Sequence, residues 1–168
     1  MNPTARVDRP ASAREAALVA FGVDGHRLLL PQREVVSLES ALDLRRAGID
    51  PPAAGLIEWA GEDWPVYCPS GAMLALTATI PPRRRFCLLL DDGRHRLALL
   101  CDQVEMLGAA NRRSCPVPAC MAKPDGLIES LIVHREAVDC LTNTARLATF
   151  CRRAALVESR DGDRKSVV

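Results

Sequence analysis

The sequence has almost no net charge and no long apolar run. Its 22 basic and 21 acidic side chains leave a formal charge of +1, so it lacks the excess of lysine and arginine that binds phosphates. We therefore expect no nucleic-acid partner. The longest apolar stretches, such as Phe86–Leu90 and Leu97–Cys101, are too short to cross a bilayer. Residues 1–14 are polar and contain no apolar signal core. These absences predict a cytoplasmic protein without direct membrane insertion.

The sequence also lacks the patterns of common catalytic and metal sites. It contains no Cys-x-x-Cys pair, no Gly-x-Ser-x-Gly elbow, no phosphate-binding loop and no dinucleotide fingerprint. His26, His95 and His134 lie in or beside predicted hairpins, where a surface histidine is the ordinary expectation. We therefore predict no catalytic residue, no metal site and no cofactor, and a protein that is not an enzyme.

The seven cysteines cannot all pair within the chain, because their number is odd. Cys87, Cys101 and Cys140 lie inside or beside apolar runs, where a free thiol behaves as a small hydrophobic side chain. Cys115 and Cys120 are five positions apart and have no matching second pair. Reduced structural thiols are the favoured interpretation. The alternative is a cysteine-rich thiol sensor or a metal-binding protein.

Short apolar runs and turn signals alternate along most of the chain. Asp24-Gly25 connects the predicted strands Leu18–Val23 and His26–Pro31, and Asp92-Gly93 connects Phe86–Leu90 to a strand that ends at Cys101. A last hairpin is predicted before a helix that begins at Thr144, capped by Asn143 or Thr142. Many short strands favour an all-β fold of small barrels or a sandwich.

The two Asp-Gly hairpins, each early in its half, suggest two similar subdomains that pack together. We predict one domain over residues 16–157 with a link near 78–85, where Arg83-Arg84-Arg85 reads as a solvated segment. Residues 1–15 and 158–168 are predicted to be flexible tails. Ser40–Arg46 is expected to form a short helix, and Ala72–Ala75 one helical turn.

Aromatic residues make up only 4% of the chain, yet both tryptophans and the single tyrosine fall within Gly55–Cys68. This stretch predicts a hairpin with its turn at Gly61–Asp63. A buried core position and an exposed interface anchor are about equally expected for Trp59 and for Trp64.

Four segments in this order resemble the CheW-like domain, the coupling adaptor of bacterial chemotaxis and of related pilus-motility systems. The opening strands of that family are similar to Phe21-Gly22-Val23-Asp24-Gly25, followed by Leu30-Pro31 and Val35. The family's Gly-x-x-Asn-x-Arg-Gly signature is similar to the segment from Gly55 to Gly61. The Pro-Val that follows the signature in the family is similar to Pro65-Val66. Leu100 to Val104 is similar to its Val-Asp-x-Val segment, and Leu141 to Leu147 to its closing strand and helix entry.

The resemblance implies two packed five-stranded small β-barrels, mainly β, with a short C-terminal helix. It also implies a non-enzymatic adaptor without a cofactor. The implied partners are chemoreceptor cytoplasmic tips, in a groove between the barrels, and the regulatory domain of a CheA-type histidine kinase, on the barrel faces.

The chain departs from the family pattern at several positions. The signature arginine is Ala60 and its asparagine is Glu58; Cys68 follows Pro65-Val66 where an aspartate is common. By position only, partner-binding surfaces are expected at or near seven residues: Val35, Ser37, Gly55, Glu58, Ala60, Gly61 and Ala98. A further alternative is a small-molecule-binding domain built on the same scaffold.

Overall fold

The computed structural model describes residues 17–163 apart from 47, 73 and 136, and describes the side chains of the C-terminal helix as far as 154. The predicted tail 1–15 lies outside these residues. The second predicted tail begins at 158, but the helix continues to Asp163. No helix within the described ranges is long and apolar enough to span a membrane.

Thirteen strands and one α-helix, with two short 3₁₀ turns, make up the described part of the chain. In chain order they are β1 Leu18–Val23, β2 His26–Pro31, β3 Val35–Ser40, β4 Gly55–Trp59, β5 Glu62–Tyr67, β6 Pro69–Ser70, β7 Ala75–Leu76, β8 Phe86–Asp91, β9 Arg96–Cys101, β10 Gln103–Leu107, β11 Arg112–Pro116, β12 Ser130–His134, β13 Ala137–Leu141 and α1 Thr144–Asp163. The prediction of a mainly β chain that ends in one helix is confirmed.

The strands form two large curled sheets and one small ribbon. Sheet A has six strands in the order β10-β1-β2-β13-β12-β11, and sheet B has five in the order β3-β8-β9-β5-β4. The ribbon pairs β6 with β7. Neighbours within the sheets are antiparallel except β2 with β13 and β5 with β9. A bridge between Arg45 and Leu56 connects the chain after β3 to β4, so the two edges of sheet B approach each other.

The two halves of the sequence do not correspond to the two sheets. Sheet A takes β1 and β2 from the first half and β10 to β13 from the second, while sheet B combines β3 to β5 with β8 and β9. The two Asp-Gly hairpins do fall in different sheets. The chain therefore crosses between sheets several times, and the segment near 78–85 does not separate two independent units.

The continuous apolar sequences of β8 and β9 follow from burial on both faces. Leu88 and Leu90 enter a central core between the sheets, whereas Cys87 and Leu89 face the interior of sheet B. Strand β9 divides its side chains in the same way. Strands covered on both faces read as unbroken apolar runs because neither face meets water. The central core also takes Phe21 from sheet A.

Three local predictions need correction. The β4–β5 turn lies at Ala60–Gly61, one residue earlier than expected, and both residues have positive φ (52° and 79°). This backbone form matches the twist of a two-residue hairpin. Of the residues predicted as a helical turn over Ala72–Ala75, the structure describes 72, 74 and 75, and these belong to the β6–β7 ribbon and its turn instead. The helix predicted at Ser40–Arg46 is only the 3₁₀ turn Ala41–Asp43.

Helix α1 begins where a buried carboxylate and a cap side chain meet its free backbone amides. Glu34 Oε2 accepts a hydrogen bond from the Thr144 backbone amide at 2.8 Å. Asn143 Oδ1 accepts one from the Arg146 amide at 2.9 Å, as the sequence predicts. Both acceptors are also favoured by the positive end of the helix dipole. Leu147 and Cys151 then pack into the central core.

An ionic cluster joins sheet A, sheet B and the segment between them. The side chain of Arg84 is fully buried and contacts both Asp24 in the β1–β2 turn, at 2.9 Å, and Asp102 after β9. It also donates to the Pro69 carbonyl oxygen at 2.8 Å. Arg83 pairs with Asp24 as well. The prediction of a solvated arginine segment is therefore wrong for Arg84, although Arg85 is exposed.

We expect Arg84→Met to lower the free energy of unfolding by about 3–5 kcal/mol, because it leaves two carboxylates without their buried partner. The matched control is Arg85→Met, which changes an exposed neighbour and is expected to stay within about 0.5 kcal/mol of the parent. Urea unfolding at pH 7 measures both. Equal losses in the two variants would contradict the role assigned to Arg84.

Acid should weaken the same cluster through Asp24. Hydrogen bonds from Arg84 first, and also from the Gly71 amide, hold the pKa of Asp24 well below its ordinary value of 3.8. Ionised Asp24 therefore stabilises the fold fully above about pH 4, and this contribution is lost as the pH falls through its lower folded-state pKa. In Asp24→Asn, the urea midpoint should be lower at pH 6 but decline less between pH 4 and pH 2.5. A parallel decline in both proteins would argue against this.

Candidate partner-binding surfaces

All seven residues predicted from the sequence lie in sheet B or its turns. Val35 and Ser37 are in β3, Gly55 and Glu58 in β4, Ala60 and Gly61 in the β4–β5 turn, and Ala98 in β9. Glu58, Ala60 and Gly61 are exposed, Val35 and Ser37 are half-buried, and Gly55 and Ala98 are buried. The structure thus brings the seven into one sheet but leaves only five of them with accessible surface.

The accessible five gather towards one end of sheet B. Val35 pairs with Leu90 beside the β8–β9 loop, and the β4–β5 turn lies at this same end because β5 runs parallel to β9. Arg96 links the loop to the turn by contacting Asp91 at 2.9 Å and also Glu62. We call this region, formed by Val35, Ser37, Glu58, Ala60 and Gly61, the sheet B end.

The two tryptophans lie in the β4–β5 hairpin, next to the turn that belongs to the sheet B end. Trp64 is only 3% exposed and lies in the interior of sheet B, whereas Trp59 is half-buried. Their ring centroids are 6.0 Å apart with nearly perpendicular planes, an edge-to-face geometry that aromatic pairs favour. The guanidinium of Arg96 lies over Trp64 at 5.6 Å. Trp64 therefore takes the core role, and Trp59 keeps partial access to solvent.

Acidic side chains dominate the surface of this hairpin. Glu58 and Asp63 are directly opposite each other across β4 and β5, an arrangement of like charges that is unfavourable unless compensated. Arg45 compensates it by pairing with Asp63. Ala60, at the tip of this hairpin, thus lies among carboxylates and supplies no positive charge of its own.

An apolar groove of about 360 Å³ lies along the border of sheet A and the β6–β7 ribbon. Sheet A contributes Leu28 and Cys140, the ribbon turn contributes Leu74, and the loop after β11 contributes Met121 and Leu127. Leu28 belongs to the central core, against which Leu74, Leu127 and Cys140 also pack. The groove is therefore an open extension of the core between the sheets, with His26, Arg27 and Lys123 also among its lining residues.

Four of the seven cysteines are buried, whereas Cys115 and Cys140 are half-buried and Cys120 is exposed. Burial raises the pKa of the Cys87, Cys101 and Cys151 thiols to about 12, so these side chains remain protonated and weakly nucleophilic at neutral pH. Cys68 is buried too. No group of three histidine, cysteine or acidic residues in the described ranges is arranged to hold a metal ion.

No model of a known protein family matches the sequence, and no curated protein matches it in sequence either. Among solved structures, the chain is similar to the scaffolding protein TtCheW from Thermoanaerobacter tengcongensis. The TM-score is 0.58, with 12% sequence identity, and the match covers 76% of this chain and 88% of that one.

The chain has a CheW-like fold. The likeness concerns the fold, because an identity of 12% carries no residue roles. The resemblance to the CheW-like domain is therefore confirmed at the level of the fold. Sheet A has six strands instead of the five expected.

Residues of two kinds were missed by sequence reasoning. The members of the Arg84 cluster are far apart in sequence, and an arginine between two others carries no sign of burial. The groove residues Leu74 and Met121 lie in a turn and a loop that no strand pattern singles out. Only the spatial approach of β2, the ribbon and the loop after β11 reveals that they share one surface.

Close packing explains why residue 55 is a glycine. A Cβ atom at this position would lie 2.6 Å from Leu44 Cγ and 2.8 Å from the Arg45 carbonyl oxygen. Gly55→Ala should therefore lower the free energy of unfolding by about 1–3 kcal/mol, because the Arg45 backbone cannot move away without disturbing the bridge to β4. Urea unfolding is the measurement.

The matched control is Gly108→Ala. A Cβ atom there meets nothing within 4 Å, so this variant should be unchanged or slightly more stable, since alanine restricts the unfolded chain. Wild-type stability in Gly55→Ala would show that Leu44 and Arg45 yield freely, contrary to this packing account.

Proposed function

We propose that this chain is a non-enzymatic cytoplasmic adaptor of a bacterial chemosensory system, either chemotaxis or pilus-type motility. It docks the cytoplasmic tip of a chemoreceptor, the regulatory domain of a CheA-type histidine kinase, or both. The observation that carries the proposal is the apolar groove along the border of sheet A and the β6–β7 ribbon of a CheW-like fold. The similar solved structure is described as a scaffolding protein, which supports a role in binding rather than catalysis.

The groove has the chemistry that an amphipathic helix requires. Leu28, Leu74 and Leu127 line it, and Met121 adds a flexible side chain that is 60% exposed. Helices commonly bind by laying an apolar face into such a groove. The resemblance implies that a groove takes the receptor tip, so we assign the receptor to this groove.

The sheet B end suits a second, separate partner. It lies on the other sheet, and its exposed residues Glu58, Ala60 and Gly61 form the projecting tip of the β4–β5 hairpin. We assign the kinase regulatory domain to this end. Because Ala60 replaces an arginine of the family pattern and Glu58 replaces an asparagine, the matching kinase surface should present positive charge to this acidic hairpin.

Two variants separate these assignments. Met121→Glu places a charge in the groove without removing a core side chain, and should weaken receptor binding by about tenfold, as an interface hot spot does. Glu58→Lys reverses a charge at the sheet B end and should weaken kinase binding instead. Isothermal titration of the full chain with each partner fragment from the same host measures both affinities.

Each variant serves as the control for the other, because each should spare one partner. Met106→Glu provides a further control, since Met106 is 55% exposed but lies on β10, outside the groove. If neither partner binds the wild-type chain, the adaptor proposal fails. If both variants lower both affinities equally, the assignment of two separate surfaces fails.

A further inference from the structure

Strand β10 (Gln103–Leu107) leaves one edge of sheet A unpaired. It pairs with β1 along one side, and no strand in the described part of the chain pairs with its other side. Its register with β1 is regular over all five residues, without a bulge. Gln103, Glu105 and Met106 are exposed, so the free side is accessible. An unpaired edge offers backbone donors and acceptors to another strand.

The other three edges of the two large sheets carry features that oppose strand addition. Strand β11 contains two adjacent arginines and ends at Pro116, which has no backbone N–H. Strand β3 has a register shift between Val35 and Ser37, and such a bulge twists an edge away from a flat partner. Strand β4 is occupied, because the Leu56 backbone exchanges hydrogen bonds of 2.8 Å with Arg45 in both directions. Strand β10 has none of these features.

The β1–β2 hairpin determines which residues of β1 direct their backbone groups towards β2. Val23 and His26 close its two-residue turn, and the closing pair of such a hairpin exchanges both backbone hydrogen bonds. Every second residue of β1, counted back from Val23, therefore bonds to β2. The Ala17 carbonyl oxygen, six positions earlier, accepts from the Gln32 amide at 2.9 Å, which agrees with this alternation.

The intervening residues of β1 direct their backbone groups to β10. They lie opposite Gln103, Glu105 and Leu107, which therefore use their own backbone groups in the ladder with β1. The alternate residues Val104 and Met106 consequently point their N–H and C=O groups away from β1. These two residues supply the unpaired donors and acceptors of the free edge.

The side chains of β10 favour pairing with an apolar strand. Val104 and Met106 lie on one face; Val104 packs against the central core, whereas Met106 is 55% exposed. Glu105 carries the only charge of the strand, and its Oε2 atom accepts from Arg27 Nη1 at 2.9 Å. The charge of this edge is therefore already compensated from within sheet A.

We propose that β10 joins two copies of this chain by pairing antiparallel with itself across a two-fold axis at Glu105. In this register Val104 lies opposite the partner's Met106, and each such pair exchanges its backbone hydrogen bonds. All five residues of the strand are then paired, and the exposed Met106 side chain gains an apolar neighbour. A strand that is complementary to its own copy forms an isologous interface, and edge pairing is a common mode of association.

The two Glu105 side chains are the unfavourable contact of this interface, because they face each other at the axis. Like charges directly opposite each other destabilise a strand pair. Each carboxylate keeps its own Arg27 partner, which reduces the repulsion. A pair of five-residue strands also buries less than the roughly 1,200–2,000 Å² of a stable interface, so the dissociation constant should be about 10–500 µM.

The dimer goes beyond the proposed adaptor function, because β10 belongs neither to the groove nor to the sheet B end. Both docking surfaces stay exposed when two copies pair through β10. A dimer therefore carries two receptor grooves and two kinase surfaces, and simultaneous binding raises the overall affinity for clustered partners.

Sedimentation velocity of the full chain at about 5 to 500 µM tests the proposal, since a dimer of this affinity should shift the sedimentation coefficient over that range. Met106→Lys should weaken association at least about tenfold, because lysine at an edge opposes strand pairing. The matched control is Val138→Lys. Val138 is 59% exposed but lies on β13, inside the sheet between β2 and β12, so this variant should associate as the wild type does.

Glu105→Gln tests the position of the axis. It removes the facing charges and should strengthen association about threefold or more at low salt. Unchanged or weaker association of this variant would reject the pairing centred on Glu105. A wild-type chain that stays monomeric at every concentration, or equal weakening by Met106→Lys and Val138→Lys, would overturn the dimer. Receptor and kinase affinities are measured separately, so the adaptor proposal stands or falls independently.

Discussion

The fold depends on one buried arginine shared by two carboxylates. Arg84 has no exposed side-chain surface and contacts Asp24 from sheet A and Asp102 at the crossing between the sheets. The Asp24 amide also donates to Asp102 Oδ2 at 2.9 Å. A guanidinium offers its donors in a fixed plane, so it sets the relative position of the segments that it connects. An apolar residue would fill the volume but would not impose this geometry.

The repeated crossing of the chain between the sheets makes them interdependent. Strands β8 and β9 supply side chains both to the central core and to the interior of sheet B. Loss of sheet A would expose the face of these strands that packs into the central core. Unfolding of one sheet should therefore carry the other with it, although the sequence reads as two halves. This mutual burial also holds the groove and the sheet B end at a fixed separation.

Strand β4 and its turn combine a buried glycine that packing constrains with exposed residues. Gly55 is buried beneath Leu44 and Arg45, which explains its retention by packing. Ala60 and Glu58 are exposed and free to vary without cost to the core. Packing therefore requires the glycine at position 55, whereas the neighbouring exposed positions do not contribute to the core.

Local chemistry in the sequence determined the strand-rich class, the Asp24-Gly25 hairpin and the start of α1 at its Asn143 cap, because each depends on residues close together in the chain. Continuous apolar runs also indicated the core strands β8 and β9. Only the tertiary structure decided which strands share a sheet, that Arg84 is buried, and that Leu74 and Met121 line one groove. Each of these rests on contacts between distant residues, whose pairing depends on the packing of the whole chain. In the Gly55–Cys68 hairpin, the two strands were evident from the sequence. The position of its turn and the burial of Trp64 required the structure.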